Sequence, residues 1–245
     1  RPGDVLIAQR QDAGKGRLGR RWQAPYGSSQ IMSVLLRPTA VPLPRRGWIG
    51  AILGLALRAA LGEQLAVTVD LKWPNDLLVD GRKCGGILAE LVGDAVVVGA
   101  GVNLDVAADE FPPREPGSTA LLPISLIDAS GVAALDRVAL AAATLREFGR
   151  RVRSWESAGG DVVAAGLLAE YRAACTTLGQ RVRLELPEGR SLTGLAQDVG
   201  PDGSIHLRSD DGRRTVHSAG DVVHLRQAEH RPAEHRPAEH RPHER

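Results

Sequence analysis

The sequence is poor in several residue types, and each shortage excludes a class of protein. It has only two cysteines in 245 residues, Cys84 and Cys175, in a spacing that fits neither a disulfide scaffold nor a zinc motif. The net charge of +2 is too small for a general nucleic-acid or membrane binder. The longest apolar stretch, 48–61, contains Arg58 and is shorter than the roughly 18 residues of a membrane span. We therefore expect a cytoplasmic protein with no membrane partner.

Lysine and asparagine are scarce in a chain that is otherwise rich in arginine. Of 31 basic residues only three are lysines, and there are only two asparagines. Compositional bias could have left these five residues by chance. Alternatively, they stand where guanidinium or carboxylate groups would not serve. Their segments are unusual for other reasons as well, which favours the second explanation. The five residues are Lys15, Lys72, Asn75, Lys83 and Asn103.

Hydrophobic patterning predicts an α+β first domain. Strands are expected at 4–10, 30–36, 67–73, 76–80, 83–91 and 95–102, and helices at 45–65, 132–155 and 161–174. Asp-Gly and Gly-Asp pairs between strands favour antiparallel hairpins. The first domain is therefore expected to be a mostly antiparallel sheet with its helices on one side, and 11–21 is expected to be a loop.

The C-terminal part has a different sequence pattern, with short β-like runs close together. Short β-like runs separated by Pro-Glu-Gly, Pro-Asp-Gly and Asp-Gly turns predict a small barrel of about 50 residues. Its strands are expected at 181–186, 191–199, 203–208, 213–217 and 221–225. The last residues repeat Ala-Glu-His-Arg-Pro three times, which blocks regular structure. The predicted divisions are a first domain at 1–176, a barrel at 177–226 and a disordered tail at 227–245. Metal capture by the tail histidines is the less favoured alternative, because an arginine follows each histidine of the repeat.

Segment 11–22 combines three glycines with four cationic side chains. Glycine lets the backbone approach a ligand closely, and arginine forks bind anions well. The segment is neither a Walker A loop nor a dinucleotide fingerprint. It therefore predicts a site for a multiply charged anion, with a solvated basic loop as the alternative.

Three later segments carry further polar chemistry. Lys-Trp-Pro-Asn-Asp at 72–76 places an indole, on which an adenine could stack, beside an amide and a carboxylate, although ordinary turn chemistry would also explain it. Gly-Gly after Lys83 and the small residues before Asn103 leave room for a ligand against backbone, or mark bulges. No nucleophilic Ser-His pair or reactive cysteine is apparent. Together these segments suit charge neutralisation at a phosphoryl centre.

In these segments the chain resembles the biotin protein ligases, and its arginine-rich style resembles actinobacterial members. The segments, in this order and spacing, are Gly-Lys-Gly-Arg-Leu-Gly-Arg-Arg-Trp, Lys-Trp-Pro-Asn-Asp-Leu, Arg-Lys-Cys-Gly-Gly-Ile-Leu-Ala-Glu and Gly-Ala-Gly-Val-Asn. The resemblance extends over residues 3–226. It implies a class II synthetase-like catalytic domain followed by an SH3-like barrel. It also implies an enzyme that joins biotin to ATP as biotinyl-5′-AMP and transfers biotin to a lysine of a biotin carboxyl carrier protein, with Mg²⁺ required and no DNA expected.

The resemblance also implies roles for individual residues. Biotin contacts are expected from Gln11, Gly14, Lys15, Gly16, Arg17, Lys83, Gly85 and Gly86. ATP contacts are expected from Arg17, Arg20, Trp22, Lys72, Asn75, Lys83 and Asn103. Arg17, Lys83 and Asp76 are the expected catalytic residues. Asp76 is also the expected magnesium-linked carboxylate and is expected to orient the acceptor amine.

Two departures from the family pattern stand out. Members carry a Ser-Thr-Asn segment upstream of the glycine-rich loop that helps bind biotin, and this chain starts too late to contain it, so the N-terminal part of the catalytic domain is expected to be missing. No N-terminal repressor domain is expected. Lys15 also stands where the family often has arginine, which keeps the charge but loses the planar fork.

Two other functions are weighed against the ligase. A lipoate or octanoyl protein ligase shares the general fold, but the Lys-Trp-Pro-Asn-Asp segment argues against it. A non-catalytic nucleic-acid-binding module could use the arginine-rich segment on phosphates. The near-neutral charge and the 3% aromatic content weaken that alternative.

Overall fold

The computed structural model describes residues 1–113, 118–186 and 189–225. The predicted disordered tail at 227–245 lies outside the described residues. Within the described ranges, the chain forms a six-stranded antiparallel sheet, a two-stranded hairpin, a five-stranded antiparallel sheet and four α-helices.

The six-stranded sheet has the order β1-β4-β8-β7-β6-β5, and every neighbouring pair is antiparallel. The strands of the first region are β1 (Val5–Ala8), β2 (Gln11–Lys15), β3 (Arg21–Ala24), β4 (Ser29–Leu36), β5 (Asp70–Lys72), β6 (Asp76–Val79), β7 (Arg82–Val92) and β8 (Ala95–Asn103). Asp80 and Gly81 join β6 to β7 with positive φ at both residues, as the tight turn of a hairpin requires. The predicted antiparallel hairpins are confirmed.

The helices cover one face of this sheet. They are α1 (Ile49–Leu65), α2 (Leu126–Ser130), α3 (Arg137–Ser157) and α4 (Leu167–Ala174). Helix α1 packs between α3 and strands β5, β7 and β8. Because it is covered on opposite sides, its own residues are apolar around most of its circumference. Among the described residues, Leu43–Leu65 is the one helical segment long and apolar enough to cross a membrane, and most of it is buried inside the protein. The predicted sheet with its helices on one side is confirmed.

The expected loop at 11–21 is wrong. Gln11–Lys15 and Arg21–Ala24 pair as a two-stranded hairpin, closed by a 3₁₀ turn at Arg17–Gly19. Its strands lack apolar alternation, so they form through pairing with each other rather than through local β propensity.

Three helix starts and one whole helix also differ from expectation. Helix α1 begins at Ile49 rather than at 45, after a 3₁₀ turn at Leu43–Trp48. Helix α3 begins at Arg137 rather than at 132, because the Asp136 carboxylate caps it by accepting two backbone N–H bonds at 2.9 Å. Helix α4 begins at Leu167 rather than at 161, because Gly166 precedes it with a φ of +73°. The five-residue helix α2, capped by Ser125, has no counterpart in the sequence prediction.

The second sheet forms the small C-terminal domain, called the barrel below, and has the order β12-β11-β10-β9-β13. Its strands are β9 (Arg181–Glu185), β10 (Ser191–Val199), β11 (Ile205–Arg208), β12 (Arg214–His217) and β13 (Asp221–His224). They confirm the five predicted strands, whereas the exact domain boundary at 176/177 stays a prediction.

Two indoles of the first region fasten the barrel in place. Trp48 donates its Nε1–H to the carbonyl of Pro201 at 2.7 Å, and Trp73 donates to the carbonyl of Gly203 at 3.0 Å. Trp48 also packs edge-on against the ring of Tyr171. This docking brings β13 beside the hairpin of the first region.

Candidate active site

A cavity of about 330 Å³ lies between the β2–β3 hairpin and the exposed face of the six-stranded sheet. Residues alternate along β7: the side chains of Ile87 and Ala89 contact α1, and Gly86, Leu88 and Glu90 between them line the cavity. Ile87 borders the cavity as well. Ten residues predicted from the sequence line it: Gln11, Lys15, Gly16, Arg17, Arg20, Trp22, Asn75, Asp76, Lys83 and Gly86.

Asp76 is one of two carboxylates that line the cavity, the other being Glu90, and two ammonium groups lie beside Asp76. Lys83 Nζ lies 2.5 Å from Asp76 Oδ1, and Lys72 Nζ lies 3.7 Å from Asp76 Oδ2. Lys72 and Asp76 are direct partners across the β5–β6 pair. Burial lowers the pKa of Lys72, and the Asp76 carboxylate opposes that shift. The three side chains form a charged cluster with one net positive charge.

The Lys83 side chain lies over Gly86. A Cβ at Gly86 would lie 3.6 Å from both Cε and Nζ of Lys83, which is an ordinary contact distance, so the lysine does not require glycine at this position. Gly85 does not line the cavity: a Cβ there would lie 2.8 Å from the backbone oxygen of Gly101. The role of Gly85 in this structure is therefore close packing between β7 and β8.

Trp22 covers the backbone of β8. A Cβ on Gly101 would lie 2.6 Å from Trp22 Cε2, so only glycine lets the indole lie this close. The Nε1–H of Trp22 is buried and has no hydrogen-bond partner among the described residues, which leaves a donor at the cavity wall.

The two asparagines have different positions. Asn75 lines the cavity, and its Nδ2 donates to the Ile87 carbonyl at 2.7 Å, which fixes the β5–β6 turn to β7. Asn103 is buried at the end of β8, donates to the Ile124 carbonyl at 3.3 Å and does not line the cavity. Lys72 reaches the site only through Asp76, and Gly14 lines a neighbouring depression beside the hairpin.

Trp73, the indole of the 72–76 segment, is 3% exposed and is used to hold the barrel. Little of its face is left for stacking on a base. A second cavity of about 250 Å³ lies between this segment, the start of α1 and the barrel, and shares Arg17 and Asn75 with the first.

Asp221 is a site residue that the sequence prediction missed. It opens β13 of the barrel, is 8% exposed and accepts from Arg17 Nη1 at 3.3 Å. Arg20 forms an ion pair with the same carboxylate. Burial lowers the pKa of Arg17, and Asp221 opposes that shift. No pattern near position 221 signals this contact, because the two partners are 204 residues apart.

The described residues do not fit a metal ion held by the protein. They contain no group of three or more His, Cys, Asp or Glu side chains that could hold one, and Asp76 is already flanked by two ammonium groups. Cys84 follows Lys83 but is fully buried, and burial raises the pKa of its thiol to about 12. Burial therefore disfavours a thiolate nucleophile at Cys84.

The arrangement is chemically suited to binding an anionic ligand. Lys15, Arg17, Arg20 and Lys83 converge on one cavity that has a glycine floor and an indole wall. Such a site neutralises negative charge from several directions at once.

Comparison with known proteins agrees with this site. Residues 1–106 match the biotin/lipoate A/B protein ligase family, and residues 177–225 match the biotin protein ligase C terminal domain. The chain is 42% identical over 227 residues to the biotin–[acetyl-CoA-carboxylase] ligase of Mycobacterium tuberculosis, covering 91% of this chain and 80% of that protein. It is 28% identical to the bifunctional ligase/repressor of Bacillus subtilis, covering 89% of this chain and 65% of that protein.

A solved structure extends the likeness to the whole fold. The biotin protein ligase of Aquifex aeolicus in complex with biotin and ATP superposes with a TM-score of 0.74 at 25% identity, covering 93% of this chain and 90% of that one. Sequence, fold and cavity agree, and the chain belongs to the biotin protein ligase family.

Proposed function

We propose that this protein activates biotin with ATP to form biotinyl-5′-AMP and then transfers biotin to a lysine of a carrier protein. The carrier is the biotin carboxyl carrier of acetyl-CoA carboxylase or of a related carboxylase, in line with the names of the mycobacterial and Paracoccus denitrificans relatives. The observation that carries the proposal is the convergence of Arg17 and Lys83, from separate elements, on one cavity.

The first step needs cancellation of charge more than it needs a base. The carboxylate of biotin is already ionised at neutral pH, since free carboxylates have a pKa of roughly 4. One of its oxygens attacks the α-phosphorus of ATP, and pyrophosphate leaves. Two unit charges ~4 Å apart repel by ~4 kcal/mol at an effective dielectric constant of about 20. Arg17 and Lys83 offset this repulsion and stabilise the charge that develops on the phosphoryl oxygens.

The second step needs a proton acceptor. The amine of the acceptor lysine must lose a proton before its nitrogen attacks the acyl carbon of the mixed anhydride and AMP leaves. Of the two carboxylates that line the cavity, Asp76 and Glu90, we assign this role to Asp76 because it lies directly beside Lys83. In the free protein it is paired with Lys83, and it becomes available when the Lys83 ammonium turns towards the adenylate. In this proposal the one carboxylate acts in turn as partner of Lys83 and of the incoming amine.

Magnesium stays a prediction from the family resemblance. Because the described residues do not fit a protein-held ion, no step is assigned to it here. A cytoplasmic location also stays a prediction, and the two free cysteines agree with it.

The decisive experiment is mass spectrometry for biotinyl-AMP after the chain is mixed with biotin, ATP and Mg²⁺. Lys83→Met is expected to slow adenylate formation about 100-fold or more, because one donor to the reacting phosphoryl group is lost. Arg82→Met is the matched control: Arg82 is the neighbouring residue, but it is exposed and donates to the Pro123 carbonyl, away from the cavity. Absence of biotinyl-AMP from the folded parent chain would overturn the proposed function.

Two further measurements separate the remaining possibilities. Asp76→Asn is expected to slow transfer from pre-made biotinyl-adenylate, and a parent-like rate would remove Asp76 from the second step. Lipoic acid in place of biotin tests the other activity named for the family matched by residues 1–106. We expect biotin to be preferred, because the match over residues 177–225 is to a domain of biotin protein ligases.

A further inference from the structure

The cationic hairpin is tied to the barrel by two consecutive residues. Arg17 Nη1 donates to the Gly220 carbonyl at 3.2 Å and to Asp221 Oδ1 at 3.3 Å, and Arg20 pairs with the same carboxylate. The Arg17 and Asp221 side chains are 24% and 11% exposed, so water screens their ion pair little.

The backbone at Gly220 is shaped for this contact. Its φ is +142°, and a Cβ there would lie 2.8 Å from Leu184 Cδ1 and 2.9 Å from the Glu185 carbonyl oxygen. Only glycine fits this position without a shift in β9. The turn into β13 thus presents a carbonyl and a carboxylate to one guanidinium.

The contact uses only part of the Arg17 guanidinium. Both hydrogen bonds are donated by Nη1, and Nε and Nη2 donate none to the described residues. Arg17 also lines the main cavity together with Lys83 and Asp76. The barrel therefore anchors one nitrogen and leaves the other donors of the guanidinium fork available to an anion in the cavity.

Asp221 also relieves repulsion within the hairpin. Arg17 and Arg20 are close enough for the charge on Arg20 to lower the pKa of Arg17, and Asp221 opposes this effect. Without a carboxylate between them the two guanidinium groups would separate, and at least one would leave its position over the cavity.

We propose that Asp221 is a positioning residue that holds Arg17 and Arg20 over the cavity, so that the barrel completes the binding site for the phosphates of ATP. The inference rests on the proposed function, since it takes the triphosphate as the anion. It gives the C-terminal barrel a direct part in the first step, through a residue that itself need not touch the substrate.

The test is the ATP dependence of biotinyl-AMP formation in Asp221→Asn. We expect the KM for ATP to rise about tenfold, the loss of roughly one hydrogen bond to a charged group, with less than a threefold change in kcat because Arg17 is still present. Asp221→Glu, which restores the charge, is expected to recover most of the ATP affinity. A merely structural role would not produce this split between KM and kcat or the rescue by glutamate.

Asp198→Asn is the matched control. Asp198 is also a barrel aspartate that pairs with a residue of the first region, Arg172 on α4, at 2.6 Å, and neither partner lines either cavity. The control is expected to leave the KM for ATP unchanged, and thermal melting checks the fold of every variant. Should Asp221→Asn fail to fold, Asp221→Ser makes the same removal of charge with a smaller side chain.

The outcomes are distinct. An unchanged KM for ATP in a folded Asp221→Asn variant overturns the positioning role. A lower KM also overturns it, because it would mean that Asp221 competes with the phosphates for the arginines. An equal rise in Asp198→Asn would assign the effect to barrel docking in general. Failure of the proposed function is separate, because the parent chain would then form no biotinyl-AMP at all.

Discussion

Replacing Lys72 with methionine is expected to stabilise this protein while impairing its reaction. The Lys72 side chain is 7% exposed, and its Nζ forms an ion pair with Asp76 Oδ2, 3.7 Å away. The change does not leave that carboxylate unpaired, because Lys83 Nζ lies 2.5 Å from its other oxygen. The substitution therefore removes one buried charge without creating another uncompensated one.

The magnitude follows from two opposing contributions. At 3.7 Å the attraction between Lys72 and Asp76 amounts to ~4.5 kcal/mol at an effective dielectric constant of about 20. Removing an ammonium from water costs several kcal/mol, so the pair contributes little net stability. Methionine has a similar length and buries its apolar chain without that penalty. We expect a gain of about 1–2 kcal/mol, which is a rise in Tm of about 2–4 °C per kcal/mol for a chain of this size.

The assay is urea or thermal unfolding of parent and variant at several pH values, beside the rate of biotinyl-AMP formation. Folding lowers the pKa of Lys72, so the unfolded chain binds more protons between that lowered pKa and 10.5, and the stability of the parent rises with pH in that window. The advantage of Lys72→Met should therefore be largest at neutral pH and shrink in alkaline solution. Lys15→Met, at an exposed position, is the control and should change stability by no more than about 0.5 kcal/mol. A Lys72→Met variant less stable than the parent by more than about 1 kcal/mol would refute the reasoning.

Two other predictions concern the cavity wall and the barrel. Gly101→Ala forces the Trp22 indole off β8. We therefore expect weaker biotin binding in a fluorescence titration and a free energy of unfolding that is lower by about 1–3 kcal/mol. Gly47→Ala, at a position with open space around it, is the control. Burial lowers the pKa of His224 to about 4, and its ring Nε2 forms a hydrogen bond with Thr177 Oγ1. The unfolded histidine therefore takes up its proton first as pH falls from 6.5 to 4, and stability falls with it. His224→Gln should reduce that loss, measured as the urea midpoint at pH 7 against pH 5, and an equal loss in the variant would contradict the assignment.

Most of the fold could be predicted from the sequence, because the strands and the main helix bury continuous apolar surface. Strand β8 and helix α1 are runs of small and branched apolar residues with clear turn signals around them. The β2–β3 hairpin has no such signal, since its residues are polar or glycine and only their pairing makes them strands. Helix α2 was missed because five residues are too few for a period to emerge.

Some residues of the candidate site could be predicted from the sequence, and others could not. The scarcity of lysine pointed to Lys72 and Lys83, and in the structure both form ion pairs with Asp76. The scarcity of asparagine was less informative, because the Asn103 amide serves the backbone at Ile124. Asp221 could not be found from local sequence, since its contact with Arg17 exists only once the barrel is docked.

The docking of the barrel has a consequence for how this protein tolerates change over evolutionary time. The bonds from Trp48 and Trp73 end on carbonyl oxygens of the main chain at positions 201 and 203, not on side chains. A main-chain oxygen survives any replacement that keeps the local backbone path. Pro201 is therefore free to change, whereas Gly203, which has a φ of +83°, and the two indoles are not. In related chains, substitutions at this contact should therefore concentrate at position 201.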